Sequence, residues 1–367
     1  MGKFRGRRLG VVVCTAGILV AAAGCSSSGG GGTSSGSTVA KAGGSITVYG
    51  WSGDWDLWFK QWAAKFKSEY GISLNYVSGP GTTMRQRIAA EHASKSDIFV
   101  GTPSDNYTLA QQGLLANIPW NKIPDASAID PKFKAQQVSI WGYDMELLAY
   151  NKKYLSASQA PTSWAELASP KWKGKLGLND PTQEGATRST LVLIKKYGKQ
   201  KALGLVAKMY GNAKLTYSTP GAEESALASG SVAVEDTSMG SVSVMVKQAG
   251  ASIGTVVPSE GAFLMLNSVS IMKHAPNPTG ALDFVKFFLS NYMQNIIQNQ
   301  LGISIAVDSN VKLTNKSLDA ALGGETPAEV LKTAYVPDWA ALVKTDSSGQ
   351  SQLADVYTEV AKAAAQK

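Results

Sequence analysis

Apolar residues in the first part of the chain follow two alternating spacings. In residues 45–49 they fall on every second position, which is typical of a strand. In residues 57–70 they recur three or four positions apart, which is typical of one face of a helix. The same patterns return in order, with a strand at 72–77, a helix at 84–93, a strand at 97–100 and a helix that ends near Gln112. Strands that alternate with helices predict a parallel sheet covered by helices.

A second series of strands and helices begins in residues 137–181. Within that segment, residues 138–150 are rich in aromatic and aliphatic side chains and predict a long strand. The elements predicted after it are strands at 176–178, 215–217 and 232–235 and helices at 182–198, 199–210, 221–229 and 239–249. We therefore interpret 137–181 as the crossing between two α/β bodies, and strands at 255–258 and 261–272 as the return.

The crossing segment carries a resemblance to a known family. It contains a strand that closes on Tyr150-Asn151, then Trp164-Ala-Glu-Leu167, then Pro170-Lys-Trp-Lys-Gly-Lys175, then Asn179-Asp-Pro181. This order resembles the solute-binding proteins of bacterial ABC importers, of the ferric-ion, polyamine and thiamine type. The resemblance implies an α/β, two-lobe, periplasmic-binding-protein-like fold of type II, in which each lobe is a mainly parallel sheet flanked by helices and crossover strands join the lobes. It also implies a monomer without a cofactor that is not an enzyme.

The predicted lobes are discontinuous in sequence. Lobe 1 comprises residues 45–141 and 258–300, and lobe 2 comprises residues 142–257 and 301–367. Parallel sheets place the loops after their strands over a crevice, where ligands bind. We expect the lobes to hinge about the crossing strands and close on a small solute. Closure is then driven by the ligand's higher affinity for the closed form. The closed protein would deliver its ligand to a membrane permease.

The amino terminus predicts export and lipid anchoring. Four basic residues precede an apolar run at 9–23, which is too short to span a bilayer of about 30 Å. Residues 1–25 therefore predict a signal peptide. Its end, Ala22-Ala-Gly-Cys25, resembles a lipobox, in which lipid is attached to Cys25. Residues 26–44 predict a flexible Ser/Gly tether. We expect a protein held on the outer face of the cytoplasmic membrane, exported by the general or the twin-arginine route.

Charge and cysteine content argue against several functions. The formal net charge is +8, but four of the positive charges precede Cys25, and the basic residues after it are scattered. This pattern does not predict a nucleic-acid-binding surface. The two cysteines are Cys14 and Cys25, so the predicted body contains no thiol for a disulfide, a metal site or a nucleophile. The two histidines, His92 and His274, have no partner at metal-site spacing.

Two functions of other classes remain as alternatives. An exported enzyme on the same scaffold would need a convergent nucleophile and base. Gly250-Ala-Ser-Ile-Gly254 matches a nucleophile-elbow pattern, but a predicted helix precedes it where the elbow needs a strand. A chemosensory binding module would share the ligand site and differ only in its partner.

The loops after the predicted strands supply the candidate ligand-binding residues. They combine aromatic rings, hydroxyls, amides and carboxylates: Trp51, Ser52, Asp54, Ser78, Thr82, Thr102, Trp141, Tyr143, Glu184, Gly185, Asp236 and Asn267. Four other tryptophans are predicted to pack in the core, Trp58 and Trp62 on one helix face and Trp164 and Trp172 in the crossing.

The resemblance bears on the ligand through three positions. Ferric-ion members hold iron with a tyrosine pair where this chain has Asp236-Thr-Ser-Met239. Their anion rests on a helix start that matches Gly185-Ala186, and Glu184 beside it would oppose an anion. Polyamine members match at Pro258-Ser-Glu-Gly261, at Trp51-Ser52 and at Glu184. We favour a polyamine-like organic cation held over Trp51 and paired with Glu184 and Asp236, since ring faces and carboxylates both attract ammonium groups.

Two other ligands stay open. One is an anionic phosphonate or phosphate ester held by helix N-termini, with help from Arg188. The other is a chelated ferric ion.

Overall fold

The computed structural model describes residues 43–91, 94–218, 220–249 and 252–366. The predicted signal peptide, the predicted lipobox at Cys25, nearly all of the predicted tether and His92 lie outside these residues. The strands are β1 Ser45–Gly50, β2 Ser73–Ser78, β3 Ile98–Gly101, β4 Ser139–Asn151, β5 Leu176–Asn179, β6 Ala213–Tyr217, β7 Val234–Ser238, β8 Ile253–Val256, β9 Phe263–Ile271 and β10 Ile305–Ala306.

Helices follow most of the strands. They are α1 Asp54–Tyr70, α2 Gly81–Ala90, α3 Pro103–Gln111, α4 Gly185–Tyr197, α5 Lys199–Asn212, α6 Pro220–Ser229, α7 Met239–Ala249, α8 Pro278–Leu289, α9 Asn291–Asn295, α10 Lys316–Ala321, α11 Pro327–Thr333, α12 Trp339–Leu342 and α13 Gln352–Ala364. Short 3₁₀ turns occupy Trp120–Lys122, Ala126–Ala128, Pro131–Phe133, Ala165–Ala168 and Pro170–Trp172, and a π-helical turn occupies Ile296–Leu301. The described helices include none that is both long and apolar enough to cross a membrane.

The strands form two parallel groups joined by antiparallel strands. Their order is β2-β1-β3-β9-β4-β7-β5-β6, and β8 and β10 each pair with β4. Strand β1 is parallel to β2 and β3, and β5 is parallel to β6 and β7, as the alternating pattern predicts. We call β1–β3 with α1–α3 and their loops the first half, and β5–β7 with α4–α7 and their loops the second half.

The two long strands β4 and β9 connect the halves. Strand β4 has 13 residues and β9 has 9, and they pair along their length with a register shift between Ile140 and Gly142. Strand β9 also pairs with β3, and β4 also pairs with β7. The sequence predicts a separate sheet for each lobe, whereas the hydrogen-bonded network is continuous. The physical reason is that β9 pairs with the first half and β4 with the second, while the two crossing strands pair with each other. The residue boundaries of the lobes stay a prediction.

Helix α1 shows how the sequence sets the first half. Phe59, Trp62 and Phe66 recur on one face and are buried, where they contact the rings of Phe284 and Phe288 on α8. Burying each of these rings stabilises the fold by roughly 1.5–3 kcal/mol. The helix ends at Gly71, whose φ of 76° lies in the left-handed region and whose N–H donates to the carbonyl of Lys67. This face holds α1 in place and directs the start of the helix toward the crossing strands.

Candidate functional site

A cavity of about 930 Å³ lies against the crossing strands. The first half contributes Trp51, Trp55, Trp58, Thr102 and Pro103, and the second half contributes Glu184, Arg188, Glu224, Ser241 and Lys247. The crossing strands add Trp141, Asp144, Met265 and Asn267, and the carboxyl-terminal segment adds Asn315, Ser317 and Trp339. The walls therefore come from both halves, as the carboxyl ends of parallel strands predict.

Tryptophan rings form one wall of the cavity. Trp51 follows β1, and Trp55 lies in the first turn of α1, so the two rings meet with centroids 4.9 Å apart. The Trp55 ring also lies 5.2 Å from that of Trp58 and 5.5 Å from that of Trp141. Trp51, Trp55 and Trp58 are half-buried, so part of each ring is open to the cavity. Indole faces arranged in this way attract a cation or stack on a flat organic group.

Asp144 places a carboxylate among these rings. It lies on β4, where it accepts hydrogen bonds from the backbone N–H groups of Met145 at 2.7 Å and of Gly240 at 3.1 Å. Gly240 is the second residue of α7, so Asp144 occupies the N-terminus of that helix. A Cβ at Gly240 would lie 2.8 Å from the Asp144 carboxylate. Burial outweighs these hydrogen bonds and raises the pKa of Asp144 to about 7.

A second set of charges surrounds the start of α4. Arg188 Nη1 donates to Glu146 Oε2 at 2.9 Å, and Glu146 is 1% exposed. Glu184 precedes the helix, and burial raises its pKa although Arg188 opposes the shift. Burial acts to lower the pKa of Arg188, but the charges of Glu146 and Glu184 outweigh it and raise the pKa. The Arg188 guanidinium is thus already neutralised, and its buried Nε has no partner among the described residues.

A smaller cavity of about 230 Å³ adjoins the first. The two cavities share Glu184, Arg188, Ser238 and Ser241. The rest of its wall is almost entirely polar: Glu146, Asn179, Gln183, Gly185, Tyr217, Ser218 and Glu223. Every one of these residues belongs to the second half or to the end of β4 that pairs with it.

Buried acids continue behind the small cavity. Glu223 on α6 accepts a hydrogen bond from Thr237, and burial raises its pKa to about 8. Glu235 accepts from the Tyr217 hydroxyl at 2.8 Å, and burial raises its pKa to about 9. Asp236 accepts from the Asn179 N–H at 3.2 Å, and burial also raises its pKa. This region holds more acid groups than the ion pair with Arg188 can compensate.

The structure separates the predicted site residues into two sets. Trp51, Thr102, Trp141, Glu184 and Asn267 line the large cavity, and Gly185 lines the small one. The others line neither of the two: Ser52, Asp54, Ser78, Thr82, Tyr143 and Asp236. Whether the lining residues contact a ligand stays a prediction.

Each predicted site residue that lines neither cavity has a structural reason for its position. Asp54 and Thr82 are exposed in the first turns of α1 and α2. Ser52 is exposed in the loop before α1, and Ser78 is the last residue of β2. Tyr143 is buried with its ring centroid 5.5 Å from that of Phe133, and Asp236 is engaged with Asn179.

Several lining residues escape the sequence analysis. Trp58 is predicted to pack in the core but reaches the cavity, whereas Trp62, Trp164 and Trp172 are buried as predicted. Asp144 has a signal in the sequence, because it is a carboxylate inside an apolar strand. Within β4, all of which the structure describes, Asp144 alone is not buried. Trp339 has no such signal, since its place depends on how the carboxyl-terminal segment packs.

The described residues do not gather into a metal centre. They include no group of three or more His, Cys, Asp or Glu side chains placed to hold a metal ion. The position of the iron-binding tyrosine pair is occupied by the end of β7, where Asp236 and Thr237 are buried.

Comparisons with known proteins agree with this architecture. The sequence model of a family described as bacterial extracellular solute-binding protein matches residues 61–321. The chain is 24% identical to iron uptake protein A1 of Synechocystis, over 63% of this chain and 68% of that protein. It is also 24% identical to the spermidine/putrescine-binding periplasmic protein of Escherichia coli, over 61% of this chain and 68% of that protein.

A solved structure supports the fold. The periplasmic binding protein P5PA superposes with a TM-score of 0.67 at 24% identity, over 86% of this chain and 99% of that one. The predicted fold class, α/β of the type II periplasmic-binding-protein kind, is thereby confirmed.

Proposed function

Because the chain belongs to the family of bacterial extracellular solute-binding proteins, we propose that its large cavity captures a small organic cation with an ammonium group. The family membership makes the protein the substrate-binding component of an ABC importer. The two named relatives are an iron uptake protein and a spermidine/putrescine-binding protein, at equal identity. The choice of ligand therefore rests on the chemistry of the cavity.

The balance of charge carries the proposal. Asp144, Glu184 and Glu224 line the large cavity, against Arg188 and Lys247. Arg188 is paired with Glu146, and Lys247 is exposed to solvent at the edge. A cation that enters would stabilise the ionised form of carboxylates whose pKa burial now raises. The tryptophan wall adds a cation–π attraction that increases as the cation is desolvated.

The two helix starts at the site are poorly suited to an anion. A free helix N-terminus binds anions through its N–H groups and dipole. At α7 that position is taken by the Asp144 carboxylate. At α4 the backbone N–H groups of Ala186 and Thr187 already donate to the carbonyls of Gln183 and Glu184. A phosphonate would have to displace the protein's own acceptor groups.

One observation favours a second candidate that still contains an ammonium group. The buried Arg188 Nε donor has no partner among the described residues, and Lys247 lies at the edge of the cavity. A zwitterion such as an aminoalkylphosphonate would place an acceptor near these donors and its ammonium near the carboxylates. Both candidates require the acidic side of the cavity.

Capture by closure follows from the position of the walls. Because the tryptophans come from the first half and most of the charges from the second, a ligand held by both favours the form in which they approach. The lipid anchor at Cys25 would keep the closed protein near its permease. Multiple acyl chains matter here, since a single one anchors only weakly. Cys25→Ala is expected to release the protein into the medium, and unchanged membrane association in cell fractions would refute the anchor.

Titration calorimetry decides between the ligands. The panel is putrescine, spermidine, thiamine, 2-aminoethylphosphonate and ferric citrate, tested at pH 7 and moderate salt. The cation proposal predicts heat from at least one amine and none from ferric citrate. Tight binding of an anion without an ammonium group, with no response to any amine, would reject it.

A further inference from the structure

We propose that the smaller cavity is a subsite for one primary ammonium group of the ligand. The inference rests on the proposed function, because it assigns one end of the cation to a particular place. The large cavity would then hold the body of the ligand against the tryptophans. The argument depends on the wall of the small cavity, on one carboxylate within it and on its connection to the larger space.

The wall of the small cavity is acidic. Glu146, Glu184 and Glu223 all line it, and Arg188 is the one cationic side chain among its described lining residues. Arg188 donates to Glu146 at 2.9 Å, so its charge is matched before any ligand enters. Two carboxyl groups, Glu184 and Glu223, are left without a matching cation, and a positive group beside them would favour their ionised form. The cavity therefore has the electrostatic character of a site for a positive group.

Glu223 provides an independent indication that a donor is missing. The residue is only 7% exposed, and one of its oxygens accepts from Thr237. Its other oxygen accepts no hydrogen bond from a described residue. Because Glu223 lines the small cavity, that oxygen is available to accept a hydrogen bond from a group bound there. An ammonium group carries three donors and no acceptor, which matches a wall in which acceptors are in excess.

The size of the small cavity fits the end of an aliphatic amine. A water molecule occupies about 30 Å³ in the liquid, so a cavity of about 230 Å³ holds an ammonium group with a few methylenes or waters. The two cavities share Glu184, Arg188 and two serines and are therefore adjacent, so the subsite requires one ligand to extend from one into the other. The favoured ligand is therefore elongated, with a primary ammonium at one end and its body against the rings.

The subsite lies wholly on one side of the molecule. Its lining residues fall between Glu146 and Ser241, in the second half and the adjoining part of β4. No residue of the first half contributes to it among those described. The ammonium group can therefore bind before the halves approach. The tryptophans of the first half would then cover the body of the ligand, which gives an order to capture.

The direct test is Glu223→Gln with putrescine as the probe. Loss of a charge-assisted hydrogen bond is expected to weaken putrescine binding by at least about tenfold. The matched control is Glu235→Gln, which changes a neighbouring buried glutamate that lines neither cavity, and its affinity should stay within about twofold of wild type. Each free protein is first checked for folding by circular dichroism. A Glu223→Gln affinity within twofold of wild type overturns the subsite while the cation proposal stands.

Two further outcomes separate the subsite from the proposed function. Binding of choline without binding of putrescine keeps the organic cation and rejects a primary ammonium subsite, because choline has no N–H donors. Failure of every amine to bind the wild-type protein rejects both.

Proton release on binding gives a second measurement, made on wild-type protein and on Glu223→Gln. Putrescine is titrated at pH 7 in two buffers with different ionisation enthalpies. The pKa of Glu223 near 8 means that its carboxyl is mostly protonated when the site is empty. An ammonium beside it, next to Glu146, Glu184 and Arg188, would ionise it and release its proton. Glu223→Gln should release about one proton fewer per putrescine than wild type, and equal release overturns the subsite.

Discussion

The two halves of the molecule contribute different chemistry to one cavity. The first half supplies Trp51, Trp55 and Trp58 with Thr102 and Pro103, and no charged side chain among its described lining residues. The second half supplies Glu184, Arg188, Glu224 and Lys247, with hydroxyls and no aromatic ring in that cavity. Under the proposed function this difference divides the tasks, since one half would bind by shape and polarisability and the other by charge. Each half can therefore be disrupted separately.

The largest expected loss of stability comes from the second half, which carries the charged side chains. Arg188→Met leaves Glu146 buried without its partner, and removal of one member of a buried ion pair costs about 3–5 kcal/mol of unfolding free energy. Urea unfolding should show this loss directly. The exposed pair of Lys199 and Glu359 is the control, since Lys199→Ala should cost no more than about 1 kcal/mol. Equal losses for the two variants would contradict the role given to the buried pair.

The next expected effect, on ligand affinity, comes from the first half, which carries the tryptophan rings. Trp51→Ala removes a ring face from the wall and should weaken putrescine binding roughly 5- to 30-fold, in line with cation–π energies at partly desolvated sites. Trp51→Phe should recover part of that loss. Leu57→Ala, at a residue that is 62% exposed, should change nothing. Calorimetry checks all three, and full affinity in Trp51→Ala would remove the first half from the site.

The pH dependence of stability tests the buried acids of the second half and of β4 without a ligand. Asp144, Glu223 and Glu235 have pKa values raised to about 7, 8 and 9, above their values in the unfolded chain. Between the two values the folded protein binds more protons than the unfolded one, so stability falls as pH rises. The free energy of unfolding of the empty protein should fall by roughly 4 kcal/mol between pH 7 and pH 9, as thermal unfolding can measure.

A double variant tests the source of that loss. Glu223→Gln with Glu235→Gln should flatten the dependence between pH 7 and pH 9, since neither residue then ionises. If the slope of stability against pH is unchanged in the double variant, groups other than Glu223 and Glu235 cause the loss.

The smallest expected effect on ligand affinity concerns Lys247, an exposed residue of the second half. Lys247 is exposed, so its repulsion of a cationic ligand is weak and screened by salt. Lys247→Gln should strengthen putrescine binding about twofold at low salt and have no effect near 1 M salt. Lys195→Gln, an exposed lysine on α4 outside both cavities, is the control. A gain that persists at high salt would contradict a screened surface charge.

The sequence predicts the two halves unevenly. The α1 face of Phe59, Trp62 and Phe66 and its stop at Gly71 follow from spacing and from glycine's access to positive φ, and both are confirmed. The first residue of α4 is Gly185, three positions later than predicted, because Glu184 and the residues before it form a turn. Local rules thus locate the helices and strands but leave their ends less certain.

The residues that line the cavity are harder to predict from sequence than the fold, because neighbouring residues of a strand face opposite sides of the sheet. The run 138–150 has no alternation of apolar and polar residues, so its cavity-facing side chains cannot be chosen from periodicity. Tyr143 packs on Phe133, whereas Asp144, one residue later, reaches the cavity. Trp339 is more remote still in sequence, since a segment near the end of the chain brings its ring centroid 6.3 Å from that of Phe263 on β9. Such contacts depend on tertiary packing alone.

The continuous sheet through β4 and β9 has a consequence for motion. A bend at the register shift between Ile140 and Gly142 can proceed by twisting a two-stranded ribbon, with no backbone hydrogen bond exchanged. Amide protons in the paired part of these strands should therefore exchange with deuterium equally slowly in the empty and the occupied protein. The difference between the two states should fall instead on the loops that carry Trp51 and Glu184. The two crossing strands would then resist closure elastically, and their stiffness would set the rates at which the ligand binds and dissociates.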